Sequence, residues 1–218
     1  MARTTKQSRT SRAVRERDPV SVKRPSTEQA ETLEIYDTTL RDGAQAEDVS
    51  FSAEDKVLIA QKLDSLGVHF IEGGWPGANP KDIEFFRMIK TIPLKHADVI
   101  AFGSTRKASN TVRKDPNLHA LLGADTKIIT LFGKTWSLHV TDALGISLHK
   151  NLELIGDSIA YLRGKGRHVF YDAEHFFDGY KTNPDYALST IRKAVQAGAE
   201  RVILCDTNGG TMPWEIRE

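Results

Sequence analysis

Residues Tyr36 to Gly43 read YDTTLRDG, followed by Ala44 and Gln45, and stand at the end of the apolar run Leu33 to Tyr36. That run is expected to be a β-strand, and the loop leaving it, Arg41 to Ser52, leads into a helical pattern that starts at Ala53. A doubly wound nucleotide-binding sheet should carry a glycine-rich phosphate loop between its first strand and helix. Neither GxGxxG nor GxxxxGK[ST] occurs there. In their place an arginine, Arg41, adjoins a carboxylate, Asp42, at what should be a strand's carboxyl end.

Outward from that point the chain alternates. Short β-branched or apolar runs fall at Leu33 to Tyr36, His69 to Glu72, Asp98 to Phe102, Lys127 to Phe132, His168 to Tyr171 and Arg201 to Cys205. Segments with helical spacing lie between them, at Ala53 to Leu66, Pro80 to Ile89, Ser109 to Leu122, Ala143 to Leu162 and Pro184 to Ala197. Ser52 before Ala53-Glu54-Asp55 supplies a capping hydroxyl and early acids, while Asn79-Pro80 and Asn183-Pro184 put proline at the first helical position. Gly67, Gly123 and Gly198 stand where three helices should close by turning with positive φ. Six strand-helix units of this kind predict parallel strands, in a doubly wound sheet or a closed barrel. Without a phosphate loop the barrel is preferred, its site at the carboxyl ends of the strands.

Composition narrows the rest. The 218 residues, 39% hydrophobic and 27% charged, suffice for one core, and a formal net charge of +1 gives no global electrostatic case for nucleic acid. No apolar stretch approaches the roughly 20 residues of a bilayer span, so no membrane partner is expected. Cys205 is the single cysteine and cannot form an internal disulfide, which fits a reducing compartment, the cytoplasm, with the thiol buried rather than reactive. Residues 1–32 differ from the rest: Arg3, Lys6, Arg9, Arg12 and Arg15 are spaced by Ser and Thr, no acid occurs in Met1 to Arg15, and Pro19 and Pro25 follow. A disordered basic tail is expected, an organelle leader being the alternative.

The expected strand ends collect polar chemistry. Arg41 and Asp42 follow the first, Glu72 ends the second, Gly103-Ser104-Thr105 follow the third, and Gly133 to His139 (GKTWSLH) follow the fourth. Asp172, Glu174 and His175 follow the fifth, and Asp206, Thr207 and Asn208 the sixth. Any one acid there could be a helix cap or a solvated charge. An Arg-Asp pair before a flexible glycine suits a 2-oxo acid chelated by a divalent metal, Asp42 binding the ion and Arg41 stabilising the developing enolate oxygen.

Five collinear motifs, DTTLRDGAQ, IEGGWPGANPKD, LFGKTWSLHV, DAEHFFDGY and LCDTNGG, also carry a resemblance. Over about residues 33–218 the chain resembles the 2-isopropylmalate, homocitrate and citramalate synthase family of metal-dependent (β/α)8 barrels, the citramalate type being nearest. The resemblance implies a TIM barrel, here its first six β/α units, and a Claisen-type condensation of acetyl-CoA with a 2-oxo acid. For the citramalate type that acid is pyruvate, CoA is released, and the product enters branched-chain amino-acid (isoleucine) biosynthesis. It further implies Mg2+ or Mn2+ as cofactor and a homodimer. Carried over by position, Asp42 is a metal ligand, Arg41 polarises the oxo-acid carbonyl, Glu174 does acid-base work, Thr207 holds the oxo-acid carboxylate, and Gln45 and Glu72 line the pocket. Plainer roles are a barrel-floor ion pair for Glu72, a cap for the helix near Pro213 for Thr207, and a loop hydrogen bond for Gln45. Asp37 is expected to order the loop. His139 and His175 are left out of the catalytic set, while Lys134 and Trp136 are expected near the acyl-CoA entrance.

One departure bears on activity. The family completes its metal site with His-x-His after the seventh strand and a later Asn, and no His-x-His occurs in this chain. The remaining metal ligands are therefore expected beyond residue 218, and residues 1–218 alone are expected to be inactive. The alternatives within enzymes are isopropylmalate or homocitrate synthesis and a hydroxymethylglutaryl-CoA lyase; outside them stands a non-catalytic binding or regulatory role.

Overall fold

The computed structural model describes residues 33–218, so the expectations for residues 1–32, tail or leader, lie outside the described residues. Six strands, β1 (Tyr36–Asp37), β2 (Phe70–Gly74), β3 (Asp98–Ser104), β4 (Ile128–Lys134), β5 (His168–Glu174) and β6 (Arg201–Leu204), form one sheet in chain order. Every neighbouring pair is parallel. Unbroken sequential order is that of a (β/α)8 barrel, since a doubly wound sheet reverses its order at a switch point. Helices α1 (Ala53–Ser65), α2 (Pro80–Ile89), α3 (Pro116–Ala124), α4 (Leu148–Gly164), α5 (Phe176–Thr182), α6 (Pro184–Gln196) and the short α7 (Pro213–Arg217) make the connections.

Period-two alternation sorts each strand into two faces. Ile71, Ala101, Ile129, Leu131, Val169, Tyr171 and Ala173 join the large core shared with the helices. On the opposite face Tyr36, Phe70, Ile100, Ile128, Phe170 and Ile203, one from each strand, pack together as a layer of barrel interior. Two residues further along, the same face changes to Glu72, Thr130 and Asp172, all buried. Phe102 at the same level and Phe132 one step further keep part of that rim apolar.

The helix starts follow their caps. Ser52 and Asp55 form a reciprocal capping box on α1, Asn79 accepts from Lys81 N ahead of Pro80, and Asn183 accepts from Tyr186 N ahead of Pro184. Two expected helices begin later than their periodicity suggested. The Ser109 to Leu122 segment makes a short 3-10 turn at Val112–Lys114 and becomes α-helical only at Pro116, where Asp115 Oδ1 accepts from Leu118 N. The Ala143 segment starts at Leu148, because Gly145 turns at φ 63° and Ser147 caps the helix. Gly67 and Gly198 have the expected positive φ, 80° and 101°, but Gly123 lies inside α3. Asp125 closes α3 instead, at φ 57°, its carboxylate held by Arg167 at 2.8 Å; aspartate tolerates the left-handed region better than most residues. Helix α5 was not expected from the sequence. It follows His175, itself left-handed at φ 55°.

Among the described residues no helix is long and apolar enough to cross a membrane.

Candidate active site

β1 is only two residues long because the next backbone amides turn back on it. The N–H groups of Arg41, Asp42 and Gly43 all donate to Thr38 O, at 3.1, 2.9 and 3.1 Å. Asp37 locks the start of the turn, its carboxylate accepting from Thr39 N and Thr39 Oγ1, both at 3.0 Å. The turn carries Arg41 over the mouth of the barrel.

Arg41 is held on three sides. Nε donates to Glu72 Oε1 at 2.5 Å, an NH1 hydrogen reaches Asp42 Oδ1 at 2.8 Å, and Cζ lies 3.9 Å from the centroid of the Phe102 ring. Ring and acids together keep the planar fork in one orientation, which a lysine could not reproduce. Glu72 is buried, 1% exposed, behind the arginine and also accepts from the Tyr36 hydroxyl at 2.5 Å. Tyr36 in turn is 2.8 Å from Thr130 Oγ1. Burial raises the Glu72 pKa, with Arg41 opposing, and burial and the Glu72 charge together raise that of Tyr36 well above the ordinary phenol value.

Beside Arg41 opens a cavity of about 470 Å3 at the carboxyl ends of the strands. Arg41, Asp42 and Gln45 form one wall, Trp75, Phe102 and Phe132 a second, and Asp172, Glu174, Cys205, Asp206 and Thr207 a third. Five of the six residues singled out from sequence, Arg41, Asp42, Gln45, Glu174 and Thr207, therefore meet at one space. Glu72 does not line it; its place is the ion pair beneath Arg41, the plainer role expected for it. Thr207 does not cap α7 either, since Oγ1 accepts from His175 N at 2.9 Å and leaves the hydroxyl hydrogen free to donate into the cavity.

Glu174 and Lys134 end adjacent strands and form an ion pair at 2.5 Å, both half-buried. Asp172, two residues earlier on the same face, has a carboxyl pKa raised by burial and further by Glu174 and Asp42, against the pull of Cys205 and Arg41. Cys205 is half-buried on the cavity wall, its Sγ 2.5 Å from Asp172 Oδ1, and burial and that acid push the thiol far above its usual range. The sequence reading expected this thiol to be buried; it is partly exposed and lines the cavity. The aromatic wall is what sequence reasoning had not placed in the site; Asp172 and Asp206 it had named at the rim without giving them a role. Phe102, Phe132 and Asp172 share the inward parity of Ile100, Ile128 and Phe170, so counting residues along each strand would have found them.

His139 and His175 pack edge to face, ring centroids 4.5 Å apart, beside Trp136. Burial lowers the His139 pKa, as does the neighbouring His175. His175 Nδ1 lies 3.2 Å from Asp178 Oδ2. Neither ring lines the cavity.

The donor set for a divalent cation is incomplete. Asp42 offers one carboxylate, 62% exposed and engaged by Arg41, and among the described residues no group of three His, Cys, Asp or Glu could hold a metal ion. Hard cations such as Mg2+ take about six oxygen ligands, so these residues do not by themselves form a metal site.

The comparisons with known proteins agree with this geometry. The model of the HMGL-like family matches residues 32–218. The chain is 60% identical over 186 residues to an (R)-citramalate synthase of Geobacter sulfurreducens, covering 85% of this chain and 35% of that protein. It is 57% identical over 187 residues to an (R)-citramalate synthase of Synechocystis sp., with 86% and 34% covered. The chain thus spans about a third of the length of the curated relatives it matches. Among solved structures, an HMG-CoA lyase of Bacillus subtilis superposes with a TM-score of 0.69 at 16% identity, over 86% of this chain and 62% of that one, a likeness of fold. A six-strand sequential parallel sheet, an Arg-Asp pair over its mouth and a family match across 32–218 lead to one statement: the chain belongs to the HMGL-like family.

Proposed function

We propose that the barrel domain, residues 33–218, serves an (R)-citramalate synthase-type acyltransferase, which condenses acetyl-CoA with pyruvate and water to give citramalate and free CoA. The carrying observation is the fixed Arg41 guanidinium, clamped by Glu72 and Asp42 at the edge of a cavity that Glu174 and Thr207 also reach. The relatives' names supply the choice of 2-oxo acid.

In this reading Arg41 faces the carbonyl oxygen of the 2-oxo acid and balances the negative charge that grows there as the new carbon-carbon bond forms. A preorganised cation in a half-enclosed cavity stabilises that charge without reorienting. Thr207 donates its hydroxyl hydrogen to the substrate carboxylate, and Gln45 supplies amide groups to the same end of the cavity. Glu174 moves the proton, and Lys134, paired with it at 2.5 Å, aims the carboxylate. A base must take a methyl proton from acetyl-CoA, and hydrolysis of the citramalyl thioester then makes the overall step irreversible in practice. Asp42 would contribute one ligand to a Mg2+ or Mn2+ ion, whose Lewis acidity would polarise the same carbonyl. Among the described residues no group of three such ligands joins Asp42, so no step here is routed through the ion. A homodimer and a cytoplasmic location complete the reading.

The test is thiol release from acetyl-CoA by the longest gene product that contains this chain. Release with pyruvate in preference to 2-oxoisovalerate and 2-oxoglutarate is expected. Preference for 2-oxoisovalerate or 2-oxoglutarate would reassign it to isopropylmalate or homocitrate synthesis, and no release with any 2-oxo acid would overturn the enzymatic reading.

A further inference from the structure

The β2–α2 connection is built around charges that never reach the cavity. Lys56 on α1 is 4% exposed, and so is Asp82 on α2; the two form an ion pair below the loop. Lys56 Nζ also donates to Gly73 O at 3.2 Å, and Asp82 Oδ2 accepts from Trp75 N at 2.8 Å. Space around the pair is tight. A Cβ on Gly74, where φ is 148°, would sit 2.4 Å from Asp82 Cγ, and a Cβ on Gly73 would sit 2.4 Å from Phe85 Cε1. Two consecutive glycines thus let the strand end close over the acid, and the acid grips the next amide, that of Trp75.

The indole is fixed at its other end as well. Trp75 Nε1 donates to Asn117 Oδ1 at 2.7 Å, and Asn117 Nδ2 donates to Ser104 O at 2.6 Å, anchoring the ring to the end of β3. Trp75 meets Phe102 and Phe132 edge to face, at centroid distances of 6.1 and 5.3 Å, and those two rings stack at 5.3 Å. Phe102 is the ring under the Arg41 guanidinium. Next to the indole lies a second cavity of about 180 Å3, reached by Lys56, Asp82 and Asn79; Trp75, Arg41 and Gln45 belong to the walls of both. The indole is the aromatic part of a partition between the two spaces, which it forms together with Arg41 and Gln45.

Buried opposite charges at this depth stabilise little on balance, because desolvation cancels most of their attraction. Their value here is geometric. We propose that the buried Lys56–Asp82 pair is a positioning device that holds Trp75 as a partition, and that Trp75 thereby limits the length of the 2-oxo-acid side chain admitted beside Arg41. The second half rests on the function proposed above; the first half does not. Lys56 and Asp82 touch no substrate and act only through the backbone at Gly73 and Trp75.

Two measurements separate the halves. In residues 1–218 carrying Trp136→Phe and Trp214→Phe, Trp75 is the sole tryptophan of the polypeptide, and its emission and acrylamide quenching report its packing directly, with no need of activity. Lys56→Met and Asp82→Asn should shift the emission to the red and raise the quenching constant at least twofold, while far-UV circular dichroism stays unchanged. Unchanged quenching in both folded variants would overturn the positioning role. Should neither variant fold, Asn117→Ala, which releases the indole without touching the ion pair, must raise the quenching or the partition is not held as described. In the active gene product, Trp75→Leu and Asp82→Asn should shift the ratio of kcat/KM for 2-oxobutyrate over pyruvate by about tenfold or more toward the longer acid, the scale of one methylene in a pocket. A general loss of kcat with that ratio unchanged would mark a merely structural role and sink the selectivity claim. Absence of turnover with every 2-oxo acid would sink the selectivity claim together with the proposed function and leave the fluorescence result to decide the positioning role.

Discussion

Glu72 and Arg41 meet side by side at 2.5 Å, the acid 1% exposed and the guanidinium 16% exposed. Arg41 lines the cavity and Glu72 does not, so the acid is expected to act on a substrate through the orientation it gives Arg41.

Glu72→Gln should therefore leave binding of acetyl-CoA unaltered and lower kcat on the order of 10²-fold, the usual effect of a small misplacement at a reacting centre. Steady-state kinetics of the full gene product measure it. A variant with unchanged kcat would show that Arg41 keeps its place without the acid.

Arg41→Lys tests the fork rather than the charge. Lysine keeps the positive charge but cannot engage Glu72 and Asp42 at once or lie flat on Phe102. A loss of roughly 10²–10³ in kcat is expected, comparable to removing one donor to a developing oxyanion. Activity within a factor of a few of the parent would mean that charge alone suffices.

Asp64 anchors the connection between α2 and β3 by accepting from the backbone N–H groups of Lys95, His96 and Ala97 at 3.0, 2.7 and 2.8 Å. Burial acts to raise its pKa, but those three donors outweigh it and hold the carboxyl below its ordinary value. The stabilisation is therefore complete above the unfolded value of about 3.9 and fades as pH falls through the depressed folded value. Asp64→Asn should cost about 1–3 kcal/mol in urea unfolding at pH 7, and the gap to the parent should narrow toward pH 3. A gap independent of pH would remove the charge from the explanation.

Gly74→Ala should destabilise the fold by at least about 2 kcal/mol, because φ of 148° is strained for any side chain and the added methyl would meet Asp82. Gly210→Ala, with nothing within 4 Å of the new Cβ, is the matched control and should be near neutral. Thermal unfolding of the two variants side by side decides it.

Local chemistry was legible along the chain wherever the cause was itself local. The caps at Ser52, Asn79 and Asn183 and the prolines behind two of them mark helix starts, because a capping bond spans only two or three residues. Asp115-Pro116 carried the same signal inside a longer periodic segment, where the periodicity masked it. Helix α5 gave no such sign: its N-cap, His175, makes no side-chain capping bond. Alternation in β2 to β5 held the signal that separates inward from helix-facing residues, unused for Phe102 and Phe132, while the motif order placed Arg41, Asp42, Gln45, Glu174 and Thr207 at strand ends.

What the sequence by itself determined is the order of the six strands, their parallel direction and the inventory of polar residues at one rim, since each depends on spacing within a segment. Only the tertiary structure decided that Glu72 lies under Arg41 and not in the cavity, that Asp172 meets Cys205, and that a lysine on α1 and an aspartate on α2 bury their charges behind Trp75. Those pairings join residues 26 to 33 positions apart, and their geometry follows from how adjacent units of the sheet stack, with a register shift between Glu72 and Gly74, which no local pattern encodes.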